Sequence, residues 1–327
     1  KMVFATLKFI GAFLLIVYVS NDIVHFFYFQ LIVAIFEFIV IKFKVDSYMK
    51  VSQKVSPSFI TLKQIAPFAL SIAYTSGIWV FITQLDKLML SHYLSLNEYG
   101  FFTLVILVSG AILQIFQPIG QAILPRMTSL LSNGQEKEMI TLYHKATQLG
   151  AIVVLAVSGM VAVLSYELLY SWTGNIEASQ WAAPILFWYA LGNGVVSLLS
   201  FQYYMQYAHG NLKYHVKGNT YFGFIQIIVI ILAVHFYGAL GAGITWFGLQ
   251  TFFLLWWPGF IHSKFAPGIH KDWVFKDILP SLLMSLVYLL LLKEISIDFS
   301  ENRLILFFTL IGLGFVLLCL NIIVSEE

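Results

Sequence analysis

Charge is scarce in this chain. Only 10% of its 327 residues are Asp, Glu, Lys or Arg, and 60% are hydrophobic; an ordinary soluble domain carries roughly 25% charge. That excludes a water-soluble globule. Cysteine is scarcer still. Cys319 stands alone in an apolar stretch, which leaves no disulfide and no thiolate metal site. No Gly-rich phosphate loop is present, so direct use of ATP is not expected and no cofactor is implied. Lys1 and Met2 lead straight into a hydrophobic segment, without the short apolar core and small-residue cleavage site of a secretory signal. The net charge of +2 says little about partners, and nucleic acid is not among those expected.

What is present is a succession of apolar runs. About ten are long enough to cross roughly 30 Å of hydrocarbon at 1.5 Å per residue. They cover 3–20, 23–41, 65–85 (extending towards 94), 99–122, 146–170, 182–206, 218–237, 239–261, 278–292 and 303–324. Turn residues separate them, among them Ser20-Asn21-Asp22, Ser95-Leu96-Asn97, Thr173-Gly174-Asn175 and Gly238-Ala239-Leu240-Gly241. The expected fold is an all-α, polytopic membrane helix bundle.

Lysine and arginine divide unevenly between the two sets of loops. Lys293 and Arg303 fall on one set and Lys87 lies in a span; all the others, from Lys1 and Lys8 through Arg126 and Lys217 to Lys276, fall on the opposite set. By the positive-inside rule that richer side is cytoplasmic, with both termini inside. The outer loops are short, so no domain folds outside the membrane. The inner loops 42–64 and 123–145 read as amphipathic surface segments. Aromatic residues make up 17% of the chain; Trp172, Trp181, Trp256 and Trp257 sit near span ends, as an interfacial belt would place them.

Polar residues inside the spans are the functional candidates. Asp86 and Lys87 follow the apolar run that starts at Ile65. An ionised side chain at bilayer depth costs several kcal/mol or more unless it meets a partner or water, and sequence neighbours point about 100° apart on a helix. The pair either faces a cavity or marks the outer interface, with Lys87 snorkelling out. The next span bears Thr103, Gly110, Gln114, Gln117 and Gln121 at helical spacing. Pro118 lies within that stripe and removes one helical hydrogen bond, which predicts a kink. A second stripe holds Asn193, Ser197, Ser200 and Tyr204. Such stripes join packed helices or face water. Glu37 and Gln30 share a helix, and Glu37 lies near Lys42. His209, His215, His262 and His270 show no metal-ligand spacing and are expected at the surface.

Three patterns in order carry a resemblance: Gln84-Leu85-Asp86-Lys87-Leu88-Met89-Leu90, then Glu98-Tyr99-Gly100-Phe101-Phe102, then Ile123-Leu124-Pro125-Arg126-Met127. Downstream, Lys217-Gly218-Asn219 opens a helix that leads to Gly238-Ala239-Leu240-Gly241-Ala242-Gly243. With these the chain resembles the polysaccharide flippases, the Wzx-type branch of the multidrug/oligosaccharidyl-lipid/polysaccharide exporter superfamily. The resemblance implies a MATE-like, two-lobed exporter of about fourteen helices, of which this chain supplies the fifth to the last. On that register 1–44 ends the N-terminal lobe, 45–64 is a cytoplasmic inter-lobe linker, 65–262 is a six-helix C-terminal lobe and 263–327 adds two helices. The first four helices would be missing, as in an N-terminally truncated member.

The resemblance also implies a substrate, an undecaprenyl-pyrophosphate-linked oligosaccharide flipped across the bacterial inner membrane for O-antigen or capsule synthesis, coupled to H+ or Na+. A polymerase and a chain-length regulator are the implied protein partners. Arg126, Lys217 and Lys87 are then candidates for the diphosphate, and Gln114, Gln117, Gln121 and Asn193 for the cavity and its sugar contacts. Asp86 balances Lys87 or takes the coupling ion. A multidrug antiporter of the same superfamily is expected to hold more carboxylates in its spans, and a lipid-linked-sugar polymerase or ligase a large basic outer loop. Transport, not catalysis, is the expected activity.

Overall fold

The computed structural model describes residues 2–20, 22–48, 59–294 and 302–325, and no strand occurs among them. The chain divides into two compact units, Lys1–Leu62 and Lys63–Glu327. The stretch 45–64 includes 49–58, which lie outside the described residues.

The first unit holds α1 (Met2–Tyr18) and α2 (Ile23–Tyr48). Both are apolar nearly all round, as helices against lipid are. Their polar groups meet each other. Lys8 Nζ reaches Glu37 Oε2 at 2.6 Å, and Gln30 Nε2 donates to the Lys8 carbonyl at 3.2 Å. Glu37 therefore pairs with Lys8 across the two helices rather than with Lys42 along its own.

The second unit contains α3 (Phe59–Tyr93), α4 (Leu96–Ser132), α5 (Glu136–Val163), α6 (Ser165–Thr173), α7 (Ile176–Ala208), α8 (Lys213–Phe265), a short α9 (His270–Asp272), a π-helical turn (Trp273–Ile278), α10 (Leu279–Glu294) and α11 (Arg303–Ser325). Seven helices among the described residues are long and apolar enough to cross a membrane: α2, α4, α5, α7, α8, the His270–Glu294 stretch and α11. The protein is thus a polytopic helical membrane protein. The apolar part of α1 is shorter, and α3, with Asp86 and Lys87 near its end, is not in this set.

Local sequence sets the ends. Ser95 and Glu98 form a reciprocal capping box at the start of α4, which satisfies two otherwise orphaned N–H groups. Asn175 caps α7 through Ala178 N. The single span expected over 146–170 is broken at Leu164, whose φ of −107° and ψ of 33° separate α5 from α6. α6 ends at Gly174 in the left-handed region (φ 69°), and Arg303 donates to the carbonyl oxygens of Ser171 and Trp172. Those carbonyls are C-terminal orphans with no helical partner.

α8 is a hairpin. At Gly238 the backbone takes φ 57° and ψ −141°, a region that only glycine enters without strain. The arms fold back antiparallel: Phe222 stacks on Phe253 at 4.3 Å, and Gln250 Nε2 reaches Gln226 Oε1 at 3.5 Å. The two spans expected on either side of Gly238 are these arms.

Of the four apolar cores in the unit, two lie along α4. Towards the Ser95 end of α4, Ile82, Leu90, Phe102, Val105, Leu186, Tyr189 and Trp246 pack together. Towards its other end, Phe116, Met127, Tyr143, Phe201, Met205 and Trp273 do so. Gly238→Ala forces a Cβ into the strained region and should destabilise the protein by about 1–3 kcal/mol. Denaturant unfolding in mixed micelles measures this; an unchanged midpoint would show that the turn tolerates side chains.

Candidate functional site

α3 delivers Asp86 to the interior. Thr75, Ile82, Asp86 and Leu90, spaced by seven, four and four, form its buried face. Asp86 is only 5% exposed. Its Oδ2 accepts the Tyr189 hydroxyl at 2.5 Å and its Oδ1 accepts the Lys87 backbone N–H at 2.7 Å. The Tyr189 ring is held edge-on by Phe102 at 5.9 Å. One turn on, Asn193 continues the polar line: its Nδ2 donates to the Ser109 carbonyl at 2.9 Å, and its Oδ1 accepts Trp246 Nε1–H at 3.0 Å. Gly192 permits that contact, because a Cβ there would run into the Trp246 ring. Asp86, Tyr189, Asn193, Ser109 and Trp246 thus place a satisfied polar line among α3, α4, α7 and α8.

Lys87 leaves this line. Its Nζ turns back along α3 to the Thr83 carbonyl at 2.6 Å and Gln84 Oε1 at 3.1 Å. It does not bridge to Asp86, and it does not extend towards the outer interface as a snorkelling lysine would. Asp86 itself lies nine residues before Ser95, about 14 Å down the helix from the turn. Protein, not an aqueous edge, surrounds it.

The glutamine stripe sits elsewhere. α4 buries Phe102, Val105, Ser109, Ile112, Phe116, Gly120, Ile123 and Met127, while Thr103, Gln114, Gln117 and Gln121 are exposed on another face. The helix runs on through Pro118 and Pro125 to Ser132, so most of the inner loop expected from 123 is helix. Each proline lacks the N–H that would bond four residues back. The carbonyls that lose this donor are those of Gln114 and Gln121. Beside the stripe, Leu107, Ala111 and Ile115 form one wall of an apolar groove of about 820 Å³, shared with α5, α6 and α11. Arg126 is exposed, and at five residues past Gln121 it stands about 140° round the helix from the stripe. Lys217 is exposed in the first turns of α8. Asp86 and Asn193 therefore share one buried line, the three glutamines share one open face, and Arg126, Lys217 and Lys87 belong to neither.

Sequence reasoning missed the partners Tyr189 and Trp246, which look like ordinary core aromatics. It also missed a second polar cluster. His262, expected at the surface, is wholly buried; the buried stripe Trp246, Gln250, Phe253 and Trp257 of the returning arm continues at Ile261, and His262 stands about 140° round from Trp257, so helical spacing does not locate it. Its Nε2 meets the Tyr143 hydroxyl at 2.8 Å and its Nδ1 meets His270 Nδ1 at 3.0 Å. Among the described residues, no group of three or more His, Cys, Asp or Glu is placed to hold a metal ion.

Tyr189→Phe deprives Asp86 of an O–H donor and should cost about 1–3 kcal/mol; in an Asp86→Leu background most of that loss should vanish. A double-mutant cycle from unfolding midpoints reads the coupling, and strictly additive effects would show that the bond contributes nothing. No protein-family model matches the chain, and no curated protein is significantly similar to it.

Proposed function

We propose that the protein takes part in flipping an undecaprenyl-pyrophosphate-linked oligosaccharide across a bacterial inner membrane, for O-antigen or capsular polysaccharide synthesis. The observation that carries this reading is the open face of α4. Gln114, Gln117 and Gln121 are exposed on a helix apolar enough to span a bilayer. Amide side chains do not face lipid, where each unmet group costs several kcal/mol; they face water or a polar solute.

A sugar supplies what this surface lacks. Hydroxyl groups exchange hydrogen bonds with the three amides. The adjoining apolar groove suits the isoprenoid chain of the same substrate, so head and tail contact neighbouring faces of one helix. In this reading the chain has ten spans and belongs to a two-lobed, MATE-like exporter working by alternating access, with both termini cytoplasmic. Arg126, Lys217 and Lys87 provide positive charge for the diphosphate along its path. Asp86 is the candidate for the coupling H+ or Na+, its charge answered by Tyr189 and moderated by Lys87. A polymerase and a chain-length regulator would take up the product.

Replacing Gln114, Gln117 and Gln121 together by Leu should abolish surface polysaccharide while leaving the amount of protein in the membrane unchanged. Asp86→Asn and Lys87→Ala should each reduce it at least tenfold. Surface glycan is read by gel and membrane protein by immunoblot. Normal glycan in the triple variant would overturn the reading; extrusion of organic cations lost in that variant, with glycan untouched, would move the protein to the multidrug branch.

A further inference from the structure

The second polar cluster lies where α5, the end of α8 and the π-helical turn meet, and nothing above gives it a task. It consists of a hydrogen-bonded chain and a pair. In the chain, Tyr143 and His262 are wholly buried, whereas His270 is partly exposed. In the pair, His144 Nδ1 lies 2.5 Å from Asp277 Oδ2, and Gln148 Nε2 donates to Asp277 Oδ1 at 3.1 Å. Trp273 ties the two together: it stacks on His270 at 6.0 Å, meets His262 edge-on at 5.1 Å and donates Nε1–H to Thr147 Oγ1 at 3.1 Å. A π-helical turn is rare and tends to occur at working sites.

Geometry makes the chain two-state. The Nδ1 to Nδ1 contact between His262 and His270 holds one hydrogen, donated by one ring or the other. If His262 donates it, His262 Nε2 is bare and the Tyr143 hydroxyl donates inward. If His270 donates it, His262 Nε2 carries the other hydrogen and Tyr143 becomes an acceptor. A proton added from water to Nε2 of His270 makes an imidazolium whose Nδ1–H must donate. Only the second arrangement accommodates it. Nε2 of His270 is bare only in the second arrangement, because in the first it carries that ring's own hydrogen; a proton bound there therefore locks the chain into the second arrangement, with every hydrogen bond directed towards the buried end.

Titratable groups reach this chain from every element packed against it. On α5 the titratable neighbours are Tyr143, His144 and the exposed Lys145; on α8 they are His262 and the exposed Lys264. The connecting segment contributes His270, Lys271, Asp272, Lys276 and Asp277, with Lys276 paired to Asp272 at 3.2 Å. On α7, His209 is engaged with the Met205 carbonyl. Asp277, 2% exposed, is held by His144 and Gln148, and all four of these lysines remain at the surface.

We propose that the Tyr143–His262–His270 chain, with His144 and Asp277 beside it, is a proton-binding site that loads the coupling ion at this end of the bundle. The coupling role rests on the transport reading; the proton binding does not. Trp273 is the built-in reporter, since an imidazolium against an indole quenches its emission.

Protein in lipid nanodiscs, titrated from about pH 8 to about pH 4, should lose fluorescence reversibly. The step should disappear in Trp273→Phe and in His270→Gln. His270→Gln is at a partly exposed position and should fold; histidine nitrogen NMR of the wild type gives a second reading, with buried imidazole signals that titrate. A step unchanged in His270→Gln, or imidazole signals fixed across the range, would overturn the proposal and leave these histidines as core packing. A titrating site in a protein whose glutamine variants still export glycan would sink the transport reading alone.

Discussion

Hydrocarbon offers no hydrogen bonds, and every polar group this chain carries into it must be answered from within the protein or by water. That constraint explains more of the architecture than apolar packing does, because lipid tails compete equally for apolar side chains. Lys8 and Glu37 answer each other across α1 and α2. Asp86 takes a hydroxyl and an amide, Asn193 spends both ends of its side chain on Ser109 and Trp246, and Arg303 closes the carbonyls at the end of α6. Where such an answer is missing, at the glutamine face of α4, the missing partner is the functional clue.

Two kinds of intramembrane polar residue thus separate. The buried line from Asp86 to Trp246 is internally complete, and completeness gives a fixed geometry for α3, α4, α7 and α8. The α4 stripe is open and flanked by an apolar groove. The transport proposed above would use both: a rigid frame, and a surface whose hydrogen bonds are left for the passenger.

Much of this was legible in the sequence. Apolar run lengths located the helices, and the glycine at 238 located the hairpin turn, since its backbone conformation admits little else. The stripe of Gln114, Gln117 and Gln121 was visible because spacing alone fixes a shared face. What spacing does not fix is which way that face turns, and so Asn193 and the glutamines, alike on paper, ended on a buried line and an open surface. The break at Leu164 had no proline or glycine to announce it. The end of α4 was set too early, for the helix continues past Pro125 to Ser132. Lys87 was read by depth, but its long side chain folded back on Thr83 and Gln84. The histidine cluster was invisible because Tyr143 lies 119 residues before His262, and only the packing of the end of α8 and the π-helical turn on α5 brings the two stretches together.

The central claim is that the α4 glutamine face meets water rather than lipid or protein. Cys319 is the single cysteine, so a Cys319→Ser background allows one new thiol at a time at Gln114, Gln117, Gln121 or Ile115. Labelling in membrane vesicles with a membrane-impermeant maleimide reads water access directly. The account predicts rapid labelling at the three glutamine positions and at least tenfold slower labelling at Ile115, about 100° round the helix from Gln114. Equal silence at all four positions would contradict it.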